Sequence, residues 1–453
     1  MNRMFKGLTW TIAVTLMALV VAIAWGRLRG PTEAQAKALA LLRQNLKPTN
    51  GRNAFPALWF ADYDVPADQL DTVFAQDRLR VQAWLAKLPP AGTEPAAFVD
   101  AAAGRYAKLP PLSDADKALS CGIHDGDCLA KVRNHRDSVR ALLSRNELRL
   151  HHEESLANYD YAWSEMPTDV RTPLPPYSSA QLWLTAAALD FADGQQAAAL
   201  NRTCMSALTM RRLYASNNTL IGTMVADARL RAAANLFIHM LAELPTDQAL
   251  PNSCAGAFAA ATPRDVDLCP SMQGEFRLNA NVLDMVESDK RSRASPLSLK
   301  FQYSKDISQR LTAHVYSWPC TEVARTQMLA DQQFNESDMQ VEQPDLVDRL
   351  ADPLGYILVE VARPAFGDYI NRHQDTVAVL RLVATVMWLR QTHGDGRTLA
   401  ERLTQRPVWI EVNKDRQLHM TEDRRNIHMN YHDLNEHGPH RRWPTEWPLP
   451  IGL

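Results

Sequence analysis

The residues best suited to chemistry in this chain are its cysteines and histidines. Cys121-Gly-Ile-His-Asp-Gly-Asp-Cys128 gathers two thiols, an imidazole and two carboxylates within one short loop. Cys121, His124 and Cys128, backed by Asp125 or Asp127, are zinc-ligand types, but structural zinc sites take a second ligand pair at regular spacing and none follows. The pattern favours a disulfide closing a turn-rich loop, and no cofactor is expected. His151-His152-Glu153-Glu154 fails a comparable test. Adjacent histidines point about 100° apart on a helix, whereas a metalloprotease needs them at i and i+4. His428 and His432 do have that spacing and are weak metal candidates. Asn426, Asn430, Asn435 and Pro439 work against a helix there, so an extended polar tail is the expectation.

Asp227, Arg231, Asn235 and His239 recur every four residues in an Ala/Leu/Met background. One reading is a ligand-facing polar stripe in a groove, where Arg231 would meet an acidic ligand. The other is an i,i+4 ion pair on a wetted face, worth about 0.2–0.5 kcal/mol. No Gly-x-Ser-x-Gly elbow, phosphate-binding loop, dinucleotide fingerprint, His-Glu-x-x-His or kinase signature occurs. No catalytic residue is therefore assigned, and the balance leans away from an enzyme. A net charge of −2 with scattered basic residues gives no footprint for nucleic acid.

The stretch that governs location is the run from Gly7 to Gly26, uncharged between Lys6 and Arg27. At about 1.5 Å per residue, twenty helical residues reach roughly 30 Å, the thickness of a bilayer core. Arg3 and Lys6 precede it as in a secretory signal, and Trp25 closes it like an interfacial anchor. A single-pass signal anchor touching the membrane through residues 8–25 is expected, with cleavage after Ala24 in the small-x-small pattern Ala22-Ile23-Ala24 as the alternative. All six cysteines lie beyond this run. Disulfides belong to oxidising compartments, which puts the bulk of the chain outside the cytoplasm, at the inner membrane if the cell is Gram-negative. Nearness in sequence pairs Cys121 with Cys128 and Cys254 with Cys269, leaving Cys204 with Cys320.

The remaining chain reads as punctuated amphipathic helices. Ser178–Pro245 carries three: one to Asp193, one over Gln195–Tyr214, and one from about Leu220 to Leu244. Leu189, Phe191, Ala192, Gly194, Ala197 and Ala198 resemble the helix–turn–helix junction of tetratricopeptide-type repeats, but there is one such unit and no 34-residue period. The expected fold is mainly α: stacked helical hairpins, a short α-solenoid-like array, behind an N-terminal transmembrane helix, with a small β-containing C-terminal tail. The segments are 1–30 (signal anchor), 31–166 (helical, first cysteine pair), 177–290 (hairpin core), 300–406 (helical) and 407–453 (short β-hairpin and His-rich tail). Glu94–Leu109 is expected as a short helix, Leu346–Asn371 and Thr376–Thr392 as a helical pair, and Val408–Val412 with Gln417–Met420 as the hairpin. The function that fits is binding or scaffolding in the cell envelope, with a protein partner. The alternative is an envelope hydrolase acting on peptidoglycan or lipid through carboxylates or histidines that a single sequence does not align.

Overall fold

The computed structural model describes residues 2–88, 97–178, 180–291, 302–338, 345–414, 416, 418–432 and 443–451. The chain is mostly helical with a small C-terminal sheet. Its first part holds α1 (Asn2–Leu28), α2 (Glu33–Arg43), α3 (Phe55–Trp59), α4 (Leu70–Leu85), α5 (Asp114–Leu119), α6 (Cys128–Asn134), α7 (Arg136–Arg145) and α8 (Glu147–Ser155). The centre is α9 (Leu182–Ala192), α10 (Gln196–Tyr214), α11 (Leu220–Ala242), α12 (Asn252–Ala257) and α13 (Cys269–Arg291). Then follow α14 (Lys305–Ser317), α15 (Glu322–Leu329), α16 (Leu346–Ala351), α17 (Pro353–Gln391) and α18 (Leu399–Thr404).

Local chemistry sets these boundaries. Thr32 and Gln35 form a reciprocal capping box at the start of α2, and Thr398 and Glu401 repeat it at α18. Between α9 and α10 the turn needs a positive φ, which Gly194 supplies at +83°. Around these helices the core falls into three clusters. One buried cluster draws on α9, α10, α11 and the second half of α17, where Leu184, Leu200, Phe237 and Leu382 are fully buried. Each such side chain stabilises the fold by about 1.5–3 kcal/mol. A second cluster joins α2, α13, α14 and the first half of α17, and a third gathers the aromatic residues of α3 and α4.

Outside these clusters stands α1. It is long and apolar enough to cross a membrane, and only 6% of its most apolar stretch is buried. Trp10 is 75% exposed and Val20 64%. Its last turns do meet protein: a Cβ on Gly26 would lie 2.8 Å from Ala351 Cβ and 2.9 Å from Val347 Cγ1 on α16. Arg27 Nε donates to Ala351 O, and Arg29 pairs with both Asp345 and Asp348.

Several expectations are corrected. The disulfides are Cys121–Cys128, Cys204–Cys254 and Cys269–Cys320. Only the first matches sequence proximity: α12 lies against α10, carrying Cys254 to Cys204, and the start of α13 meets the turn after α14, carrying Cys269 to Cys320. The expected pair at 346–392 is instead the short α16 and the single 39-residue α17. Its polar middle reads as a loop, yet Asn371, His373, Gln374 and Asp375 are buried and bonded to neighbouring elements, so the backbone stays helical. Residues 97–109 form turns instead of a helix, closed by Asp77, which accepts from Ala101 N. In the tail, Val408–Ile410 is one turn of 3₁₀ helix. The sheet comes later, as β3 (His419–Met420), β4 (Asn426–His428) and β5 (Glu446–Pro448), antiparallel in that order, with Trp447 of β5 fully buried. A further two-stranded ladder pairs β1 (Cys121–Gly122) with β2 (Ala180–Gln181).

Candidate functional site

The polar stripe on α11 lies at a buried seam. Asp227, Arg231 and Asn235 are all at most 5% exposed. Each side chain holds a different element. Asp227 Oδ2 meets His373 Nδ1 of α17 at 2.9 Å. The Arg231 guanidinium stacks 4.4 Å from the ring of Trp443 in the tail, a cation–π contact that His124 joins edge-on from the first cysteine loop. Asn235 Nδ2 donates to the carbonyls of Asp125 and Gly126 in the same loop. His239 lies 3.6 Å from Asp127, with burial holding its pKa below the usual imidazole value. The stripe fastens the Cys121–Cys128 loop, the tail and α17 onto α11.

Beside Asp227 is a cavity of about 30 Å³ bordered by His373, Asp265, Asp267 and Arg211. Burial alone would disfavour the His373 imidazolium, but the Asp227 carboxylate overrides it, and the His373 pKa is raised. Arg211 clamps Asp265 in a bidentate pair at 2.6 and 2.8 Å. Asp267 accepts from Cys269 N. These carboxylates are spoken for, and the space suits a water molecule, not a sugar ring or an acyl chain. His432 is equally engaged: its backbone N–H donates to Asp375 and its Nε2 sits 3.1 Å from Asp331 O. His428 lies on β4, opposite His419 and Glu446. Because 426–428 is a strand, the helical i,i+4 geometry that would join His428 to His432 does not arise. Among the described residues no group of three His, Cys, Asp or Glu could hold a metal. His437 and His440 lie outside the described residues.

A larger walled space lies elsewhere. A cavity of about 400 Å³ opens between the proline-rich connector 167–177, the start of α11 and the second turn of α13. That volume falls in the range of small-molecule sites. Its wall is mainly apolar, from Phe55, Met166, Leu220 and Leu278. Its rim carries Leu174, Val170 and Ile221, each 44–61% exposed. Asn218 fixes the segment that leads into the connector by bonding both the N–H and the carbonyl of Ser164. At the floor, a Cβ on Gly274 would fall 1.8 Å from Asn218 O, so only glycine lets α13 come this close.

The chain matches no family model, no curated protein and no solved structure. The site therefore stands on its own geometry. Three charged residues border the cavity: Asp169, which is paired with Arg171, and Glu275 and Arg277. Burial raises the Glu275 pKa and lowers that of Arg277. Neither forms an ion pair among the described residues. A mainly apolar chamber with a few charged side chains on its wall suits an amphipathic ligand: an apolar body with a polar head. Sequence reasoning missed this site. Its only local signal was the density of Pro167, Pro173, Pro175 and Pro176, which makes the connector an extended wall with few N–H groups of its own to satisfy.

Proposed function

We propose that the protein is a single-pass, membrane-anchored helical protein whose body lies outside the cytoplasm and binds an amphipathic ligand of the envelope. In a Gram-negative cell that is the periplasmic side of the inner membrane. The observation that carries the anchoring is the contrast within α1. From Trp10 to Val21 its apolar side chains are exposed, while Gly26, Arg27 and Arg29 are locked onto α16. Three disulfides fit an oxidising compartment. The cavity beside Glu275 and Arg277 supports binding over scaffolding, since scaffolds need no chamber of that volume.

Two measurements test this. Membrane fractions washed with alkaline carbonate are expected to retain the full-length chain, with the body digestible by protease added to spheroplasts; a soluble chain beginning at Trp25 would refute the anchoring. Native mass spectrometry of the detergent-purified protein is expected to show a bound small molecule that is lost in Ile221→Trp, which narrows the cavity mouth. Identical spectra for both proteins, with no bound mass, would refute the binding.

A further inference from the structure

We infer that the first three turns of α17 lie on the lipid surface, so that the body rests on the bilayer beside the exit of α1. This rests on the anchoring proposed above. The direction of α16 is the first observation. Arg29 reaches Asp345 and Asp348 at the start of α16, whereas Gly26 meets Val347 and Ala351, and Arg27 bonds the Ala351 carbonyl. Thus α16 runs antiparallel to the end of α1 and carries the chain back toward the apolar run. Within Trp10–Trp25 only Ala22 and Ile23 are partly covered, which places the protein contact at the end of that run. The chain turns at Asp352 and starts α17 at this level.

The second observation is what α17 shows there. Ile357 is 55% exposed, Leu358 46% and Val361 73%. At 100° per residue these three fall on one side of the helix, and Val359 and Phe366, which are buried, fall on the other. The opening of α17 is therefore apolar on both faces, one covered by the core and one exposed among the described residues. Val361 lies eight residues beyond Pro353, about 12 Å along α17. Arg349 stacks on Tyr356 at 4.9 Å beside this face, the residue types that favour the headgroup level. A helix with an unpartnered apolar stripe at the exit of a membrane span matches an interfacial helix, whose apolar face sinks into the headgroup boundary.

The test uses full-length oxidised protein in phospholipid vesicles. All six native cysteines are in disulfides, so an environment-sensitive NBD probe attaches only at an introduced thiol. Labels at Ile357→Cys and Val361→Cys are expected to shift their emission to the blue and lose most of it to lipids bearing a shallow doxyl quencher. A label at Val408→Cys, on the exposed turn packed against the far half of α17, is expected to do neither. Leu16→Cys, inside the apolar run, separates the two failures. If Leu16 is quenched by a deep doxyl lipid while Ile357 and Val361 behave like Val408, the lipid contact is overturned and the anchoring stands. If Leu16 is also wet, the anchoring falls with it. Blue-shifted labels at 357 and 361 that resist lipid quenchers but crosslink between copies would overturn the inference in favour of a dimer.

Discussion

Arg416 offers the sharpest test of how the tail is held. Its guanidinium is fully buried and binds two buried carboxylates: Asp331 through Nε and Nη2, each at 2.9 Å, and Asp375 through Nη1 at 2.6 Å. Nη1 also donates to Asn430 O at 3.0 Å. Also facing this cluster are His432, whose backbone N–H donates to Asp375 and whose ring Nε2 lies 3.6 Å from Asp331, the buried Arg381, and the Asn413 N–H, which donates to Asp331. Burial would raise the Asp331 pKa, but the Arg416 charge and the hydrogen bonds win and hold it below the usual carboxylate range. A depressed folded pKa contributes stability above the unfolded value that is lost as pH falls through the folded one. Arg416→Met keeps the bulk and removes the charge, leaving two carboxylates buried without their cation. Breaking a buried pair in this way costs about 3–5 kcal/mol. Without that charge the Asp331 carboxyl must titrate upward, so the penalty is present at neutral pH and fades as it takes up a proton. Urea unfolding at pH 7.5 and pH 4.5 reads both effects, with limited proteolysis at Arg424-Arg425 reporting release of the tail. The expected result is a loss near the stated range at pH 7.5 that shrinks at pH 4.5. A loss below about 1 kcal/mol, or one equal at both pH values, would refute the electrostatic account and leave only packing.

Three further predictions follow from the same geometry. Replacing Cys204 and Cys254 together with Ala opens a loop with a sequence separation of 50 and is expected to destabilise by about 4 kcal/mol on chain entropy, read by urea unfolding; peptide mapping without reductant is expected to recover the 204–254 and 269–320 pairs. Gly274→Ala drives a Cβ into Asn218 O and is expected to cost about 1–3 kcal/mol or more, with loss of the bound mass in native mass spectrometry. Asp227→Asn removes the partner that raises the His373 pKa. Stability from a raised pKa is full below the unfolded value and lost as pH rises through the folded one, so the mutation is expected to cost about 1–3 kcal/mol at pH 6 and less at pH 9.

Much of the helical architecture was legible because it follows from local rules. The apolar run of α1, the Gly194 turn and the hairpin at α9 and α10 are each written in a few consecutive residues. Features set by contacts distant in sequence were not. Asn371-Arg-His-Gln-Asp375 looks like a loop until Gln332 and Phe334, Asp227 and Arg416 are brought to it from three other places. The polar stripe was readable as a pattern on one helix face, but its partners at 125–126, 373 and 443 arrive by tertiary packing. For the same reason Glu275 and Arg277 look like ordinary solvated helix residues. Only the fold shows that a proline-walled chamber covers them.

The disulfide pattern has a consequence for biogenesis. Taken in chain order, each odd-numbered cysteine bonds the next one along: 121 with 128, 204 with 254, 269 with 320. A chain threaded amino end first into an oxidising compartment presents each pair complete before the following pair emerges. A donor oxidase that joins thiols as they appear would then write the native connectivity directly, without the thiolate exchange that corrects mismatched bridges. Maturation of this protein should depend on the oxidase and be indifferent to loss of the disulfide isomerase.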